Sequence, residues 1–474
     1  MDRTMLRGFA WTGSIKWIAQ GFSWITTLVV ARFLDPSAYG IMGVAAVFLG
    51  LLGLLAEFGV GNAVVLRHDL SRRTHQELAG FSLGMGLVAG AACVALAPLS
   101  ASFFNQEELT LALPVLGLGF ALSGLRTVPS SLLQRDLEFK RLAFVDAATS
   151  ASASILAVYM AVAGWGYWSL IVPQLLGSLF GVVMVWWWHP VGLRRPTGDV
   201  FTQVGWLSGH LLLQRLAWYS YTHVDAIIIG RRLGQDALGN YTFGVQLALT
   251  PSEKINQMVM RVMSGVFSAV QDDAAQLRRY LLSLIEFIAL PVFPILVFLS
   301  FLSDWLAVNI FGDQWADLGA PLAILAASAL LRSITPVVVQ ALTAIQDMGF
   351  LSRNTLFLAA LMPVGFLIGA QWGVTGVAAA WLIVYPLPIL LVFWRCARML
   401  EFPIHAYGQA IARPIAMTIG AVAVFYSVRW GSSSLIEGES LPIVIGIVTS
   451  VVLYLIVAFA LYLEKARQIM EMAR

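Results

Sequence analysis

The chain of 474 residues is 59% hydrophobic and only 12% charged, with a mean hydropathy of +0.80. Soluble domains run near half apolar and a quarter charged, so this chain lacks the charge to clothe a soluble surface. The net charge of +3 is too small to mark a nucleic-acid partner; what remains is a polytopic α-helical membrane protein with almost nothing outside the bilayer.

Apolar stretches near the roughly 20 residues needed to span a bilayer recur from end to end. In chain order they predict helices at 9–32, 40–66, 77–100, 110–130, 141–163, 166–188, 202–230, 238–266, 280–303, 318–345, 354–371, 374–396, 409–429 and 441–463. The helices at 202–230 and 238–266 carry the most charge. Fourteen spans leave no connection much above a dozen residues. The first stretch outruns a signal-peptide core and lacks a cleavage site, so it is expected to be retained. Cys93 and Cys396 fall on different helices and suggest neither a disulfide framework nor a metal site.

Lys and Arg orient the helices through the positive-inside bias. With the N-terminus in the cytoplasm, 18 of the 29 fall in cytoplasmic segments, among them Arg72, Arg73, Arg135, Arg141, Arg194, Arg195, Arg278 and Arg353. Only Arg32, Arg231, Arg232 and Arg429 fall outside, so both termini are expected in the cytoplasm. Trp165, Trp168, Trp305, Trp315 and Trp372 suit an outer aromatic belt, and Trp186 to Trp188 with Trp394 an inner one.

The first helical hairpin has an echo. Arg32-x-Leu34-x3-Ala38-x-Gly40 recurs as Arg231-x-Leu233-x3-Ala237-x-Gly239, at an offset of 199 residues. A weaker echo pairs Trp165-Gly166 with Trp372-Gly373. Six predicted spans separate the two hairpins, so they share an orientation. The expected architecture is therefore two pseudo-symmetric six-helix lobes, 1–195 and 196–400, followed by two extra transmembrane helices and a cytoplasmic tail in 401–474. Parallel halves suit alternating-access transport.

The offset carries Lys16 onto Arg215, giving each lobe one cation on its first helix. Lys16 lies about 13 Å from the cytoplasmic end at 1.5 Å per residue, where an ionisable group needs a cavity or a partner. Two mirrored cations suit an anionic headgroup, phosphate or diphosphate, with Arg holding it bidentately and Lys as a point charge. Arg261 is a candidate third contact, whereas Arg332 is expected to pair with an acid. Asp225, Glu57 and Glu253 could carry a coupling proton or cation, since desolvation raises a carboxyl pKa toward working pH. They could equally neutralise buried arginines. Asp146 reads as an interface residue. Glu286, His210 and His223 complete the intramembrane titratable set, and the histidines are too far apart to share a metal. Pro173, Pro251, Pro336, Pro363 and Pro386 are expected to kink their helices.

None of the four lysines (Lys16, Lys140, Lys254, Lys465) follows Gly, so there is no phosphate-binding Walker loop. No Gly-x-Ser-x-Gly elbow appears, and no loop is large enough for a soluble catalytic domain. The expectation is a non-enzyme without cofactor or metal.

Val224-Asp225-Ala226-Ile227-Ile228-Ile229-Gly230-Arg231-Arg232-Leu233-Gly234, then Ala237-Leu238-Gly239-Asn240-Tyr241 and Pro251, resembles the seventh-to-eighth helix segment of polysaccharide-transport proteins. These are bacterial exporters of lipid-linked oligosaccharides, such as the colanic acid and teichuronic acid exporters. Their superfamily also holds multidrug/toxin extruders and peptidoglycan-precursor flippases. Ala31-Arg32-Phe33-Leu34, Ala38-Tyr39-Gly40 and Leu133–Arg141 (LQRDLEFKR) are similar as well, the last to the colanic-acid-exporter branch. The likeness covers roughly 5–400. One departure is Val262–Ser268 where relatives often carry Phe-Pro. The resemblance implies a two-lobed transporter in the bacterial plasma (inner) membrane, moving an undecaprenyl-diphosphate-linked saccharide for exopolysaccharide or lipopolysaccharide assembly. Its implied partners are membrane lipids and the polysaccharide polymerase and export machinery, with no nucleic acid. An ion-coupled drug extruder of the same superfamily, a membrane-embedded polymerase or ligase, and a non-transporting scaffold are the alternatives. Lys16 as the only charge deep in the first helix suits an anionic cargo over a cationic drug.

Overall fold

The computed structural model describes residues 21–56, 59–67, 70–197, 209–433 and 440–472. Among them every regular element is helical. In chain order they are α1 (Gly21–Phe33), α2 (Pro36–Ala56), α3 (Val60–Leu66), α4 (Arg72–Phe104), α5 (Leu109–Arg135), α6 (Phe139–Val162) and α7 (Trp168–Trp188). Then follow α8 (Gly209–Arg232), α9 (Gln235–Ala269), α10 (Ala274–Phe301), α11 (Gly319–Ala344), α12 (Met348–Gly369), α13 (Gly373–Ile383), α14 (Pro386–Met399), α15 (His405–Ser433) and α16 (Ser440–Met472). Ten spans are long and apolar enough to cross a membrane. α8 and α9 fall outside that set because polar and charged residues interrupt them, yet both fold as continuous helices. The chain is an all-α, multi-pass membrane protein.

Two long spans expected from sequence are interrupted. The stretch 40–66 is divided between α2 and α3, and α3 starts after Gly59, whose φ of 70° a side chain would resist. The stretch 374–396 ends as a helix at Ile383 and restarts at Pro386. Pro386 therefore opens α14, where its missing N–H costs nothing, instead of kinking a longer helix. Pro173, Pro251, Pro336 and Pro363 do lie inside helices. Gly166 and Gly373, the two glycines of the weaker sequence echo, both adopt positive φ, 54° and 73°. The positive φ at both, which glycine adopts freely, gives the echo a physical basis.

The chain divides into two compact units. The first holds Met1–Thr242, Ile310–Trp315 and Phe366–Val374. Lipid is as apolar as a leucine, so helices there associate through close packing of small residues. α4 and α5 follow that rule. Added Cβ atoms at Gly86 and Gly124 would overlap the carbonyl oxygens of Phe120 and Ser82, and one at Gly117 would sit 2.8 Å from Cys93 Cβ. Where α3, α4 and α5 meet, Val64, Leu78, Val128 and Leu132 form a core that also takes in Val191, from the segment after α7. That segment is fixed along α4: the Arg194 N–H donates to the Gln76 carbonyl (3.1 Å) and Thr197 Oγ1 to Glu77 Oε2 (2.8 Å).

The second unit holds Phe243–Asn309, Ala316–Gly365 and Thr375–Arg474. α15 and α16 pack on α10 through Leu302, Phe425 and Ile443. Phe298 and Phe425 meet edge to face at 5.8 Å, and the Tyr454 hydroxyl donates to the Leu290 carbonyl at 2.5 Å. The last two helices are thus part of the packed body of this unit. Cys93 and Cys396 are both free and buried.

Candidate functional site

The hairpin repeat becomes a contact. Within the first unit, an added Cβ at Gly40 would overlap the Gln235 carbonyl oxygen, and one at Gly239 would overlap that of Pro36. Adding 199 to Pro36 and Gly40 gives Gln235 and Gly239, so the contacts are the same interaction seen from its two sides. The two hairpin turns pack on each other reciprocally, and glycine is required at both positions because backbone meets backbone. Gln235 Nε2 donates to the Ser37 carbonyl (3.1 Å) and Thr242 Oγ1 to that of Tyr39 (3.3 Å).

The two repeat arginines act alike. Arg32 Nη1 donates to the Ile310 carbonyl (3.4 Å), and Arg231 Nη1 to the Phe103 carbonyl (2.7 Å) at the end of α4. Cations suit the negative end of a helix. Trp315 reinforces this junction: its indole N–H donates to the Ala31 carbonyl at 2.9 Å, and Tyr39 packs on its ring edge at 5.2 Å. Trp315 is fully buried, so it is a packing anchor and not a member of the lipid-facing belt. Trp165 and Trp372 are exposed, as belt residues would be.

α8 carries the polar axis of the first unit. Asp225 is 4% exposed, deep enough that its carboxylate requires partners. The Tyr241 hydroxyl donates to Oδ2 at 2.5 Å, and the Ala226 N–H donates to Oδ1 at 2.8 Å. Two residues earlier, His223 stacks on Tyr219 at 4.0 Å, and Tyr219 donates to the Val47 carbonyl of α2 at 2.6 Å. Arg215, ten residues before Asp225 on the same helix, is exposed and has no acid partner among the described residues.

The remaining candidates fall as follows. Lys16 and Glu57 lie outside the described residues, as does the side chain of Arg261. Glu253 is exposed beside exposed Lys254. Asp146 binds Arg126 Nη2 at 2.6 Å, and the hydroxyl of Thr149, one turn further along α6, is buried without a partner. Beside Arg126, the Leu125 carbonyl accepts from the Trp186 indole N–H at 3.0 Å; Asp146 thus has a specific cation partner. Glu286 faces Arg413 at 3.8 Å. Among the described residues no cluster of His, Cys, Asp or Glu could hold a metal ion.

Arg332 differs from its sequence expectation. Its guanidinium lies 4.0 Å from the Trp381 ring centroid and 6.0 Å from that of Tyr385. No carboxylate pairs with it among the described residues. Aromatic faces, 50 residues away in sequence, take the place of the acid. No local pattern announces such a partner.

The family model described as polysaccharide biosynthesis protein matches residues 29–320, more than half of the chain. The lipopolysaccharide biosynthesis protein WzxC of Escherichia coli (strain K12) is 24% identical over 436 residues, covering 89% of this chain and 87% of that protein. The succinoglycan biosynthesis transport protein ExoT of Rhizobium meliloti (strain 1021) is 22% identical over 481 residues, covering 100% and 96%. Among solved structures, the lipid II flippase MurJ in its inward closed conformation superposes with a TM-score of 0.71, covering 96% of this chain and 100% of that one at 14% identity. The fold is thus shared end to end with a flippase structure, and by the family match the chain belongs to the polysaccharide biosynthesis protein family.

Proposed function

We propose that this protein is a flippase that moves a polyprenyl-diphosphate-linked saccharide across the bacterial plasma membrane for exopolysaccharide or lipopolysaccharide assembly. The observation that carries the reading is coverage: a succinoglycan transport protein and a lipid flippase structure each align with nearly the whole of this helical chain. A multi-pass chain with no extramembrane domain between its helices suits translocation better than polymer synthesis.

In this reading Lys16 and Arg215 hold the diphosphate, with Arg261 as a third contact. Arg215 supports it by being an exposed cation without an acid partner among the described residues. The lipid tail stays in the bilayer, so only the polar headgroup has to be sheltered from hydrocarbon. The lobes 1–195 and 196–400 move as the two halves of an alternating-access cycle, with 401–474 attached to the second. The reciprocal glycine junction supports a pivot there, because two turns in backbone contact can hinge once the Gln235 and Thr242 side chains release Ser37 and Tyr39. Asp225, Glu57 and Glu253 are the coupling candidates. Asp225 is favoured by its burial and by the Tyr241 hydroxyl that donates to it, a bond that changes with its protonation. The positive-inside bias puts both termini in the cytoplasm. A polymerase and export machinery would take up the delivered unit.

The test is deletion of the gene in its host. Repeat units should accumulate on the cytoplasmic leaflet and surface polymer should disappear. Normal polymer with altered tolerance of cationic dyes would favour the drug-extruder alternative instead. Unpolymerised units on the outer leaflet would point to the polymerase.

A further inference from the structure

Four arginines described in the interior or near the ends of the helices can be compared. Arg126 has Asp146, Arg395 has Asp347 at 2.7 Å and Arg413 has Glu286. Arg332 alone of the four has no acid partner among the described residues and rests on aromatic faces instead. It also lies the deepest in its helix. It is twelve residues from Ala344 on α11, about 18 Å at 1.5 Å per residue, and about as far from Gly319. That distance is beyond the reach of a snorkelling arginine from either helix end.

A cation this far from either end of an apolar helix is costly to hold. A cation–π contact returns only part of that cost. The balance calls for a further anionic group. Stacking explains how one would bind. A guanidinium held over the Trp381 ring at 4.0 Å engages the ring through its charge and keeps its N–H fork, which matches carboxylate and phosphate oxygens. The platform is rigid, since Trp381 is 2% exposed and Tyr385 6%. Next to Arg332 on α11, the Ser333 carbonyl accepts from Asn256 Nδ2 at 2.8 Å, which fixes the helix there. Asn256 Oδ1 is buried with no partner. Arg332 itself is half-buried, so part of the guanidinium stays accessible.

We infer that Arg332, held on Trp381, is an oxyanion contact for the translocated lipid-linked saccharide. The inference rests on the flippase reading. The oxyanion is either the diphosphate of the carrier or the carboxylate of an acidic sugar, and the same N–H fork fits both. It places an anion contact on the second unit, 117 residues beyond Arg215.

The test uses the full chain in nanodiscs, with thermal stabilisation read against concentration of three probes: undecaprenyl diphosphate, free glucuronate and neutral undecaprenol. R332Q should weaken the response to at least one anionic probe about tenfold. R332K, which keeps charge but loses the fork, should weaken it by less. W381F should fall between wild type and R332Q, and the undecaprenol response should not change. Loss confined to the diphosphate identifies the carrier as the source, and loss confined to glucuronate the sugar. Unchanged response to both anions in R332Q overturns the inference. If R332Q does not fold, equal responses of R332K and wild type to both anions overturn it. Polymer restoration by the wild-type gene in a deletion strain is scored separately. Its failure would sink the flippase reading while leaving the binding result standing.

Discussion

Replacing Gly239 by alanine tests the hairpin junction in depth. The new Cβ would lie 3.0 Å from Pro36 Cα and closer still to its carbonyl. Carbon pairs settle at about 3.5–4.0 Å, so the turns must part by at least about 1 Å. Overpacking of this size costs about 1–3 kcal/mol. Alanine returns up to about 1 kcal/mol of helix propensity relative to glycine, leaving a net loss of up to about 2 kcal/mol. Gly420→Ala on α15 is the control: nothing lies within 4 Å of its added Cβ, so only the propensity gain remains. Thermal unfolding of the purified variants should show Gly239→Ala below wild type and Gly420→Ala at or above it. A second readout places a cysteine at Ala38, which is 5% exposed. Both native cysteines are buried, so a membrane-impermeant maleimide reports the new one with little background. Labelling should quicken when Gly239→Ala is added. Gly40→Ala should act in the same direction, and the double variant should cost less than the sum, because a junction already parted has little left to lose. Wild-type stability together with wild-type labelling in Gly239→Ala would refute the reasoning.

Three further outcomes follow from the same geometry. Tyr241→Phe removes a hydroxyl that donates to buried Asp225 and should cost about 1–3 kcal/mol, read as a lower Tm; an unchanged Tm would show that Asp225 does not depend on that bond. Arg126 and Asp146 are 27% and 45% exposed at their side chains, so a double-mutant cycle with R126Q and D146N should give a coupling of about 1 kcal/mol or less, against several for a dry pair. Replacing Lys16 and Arg215 together by Gln should abolish polymer export with normal expression and membrane insertion; full export in that variant would remove both from the binding role.

Much of the helical layout was legible in the sequence because span length and hydropathy are set by the bilayer, not by tertiary partners. The predicted ends at 166–188 and 318–345 fall within two residues of α7 and α11. The breaks at Gly59 and Pro386 were not anticipated, since an apolar run conceals a change of backbone direction. The hairpin echo was legible as spacing, and its cause, two glycines facing each other's backbone, is visible only in the packing. Site chemistry was less legible. Arg332 read as half of an ion pair because a sequence gives no sign that Trp381 will come to lie beneath it. Trp315 read as a belt residue because tryptophan near a helix end usually is one, yet Ala31 and Tyr39 enclose it. Glu77, bound by Arg73 and Thr197, drew no notice because its second partner is 120 residues away.

The central claim is that a lipid-linked saccharide crosses the membrane through this chain. The most direct measurement follows a labelled undecaprenyl-diphosphate-linked saccharide from the host in proteoliposomes containing only the purified protein, read as the fraction accessible from the opposite leaflet with time. The account predicts transfer well above that of protein-free vesicles and its loss in the Lys16, Arg215 double variant. Equal transfer with and without the protein, under each applied ion gradient, would contradict it.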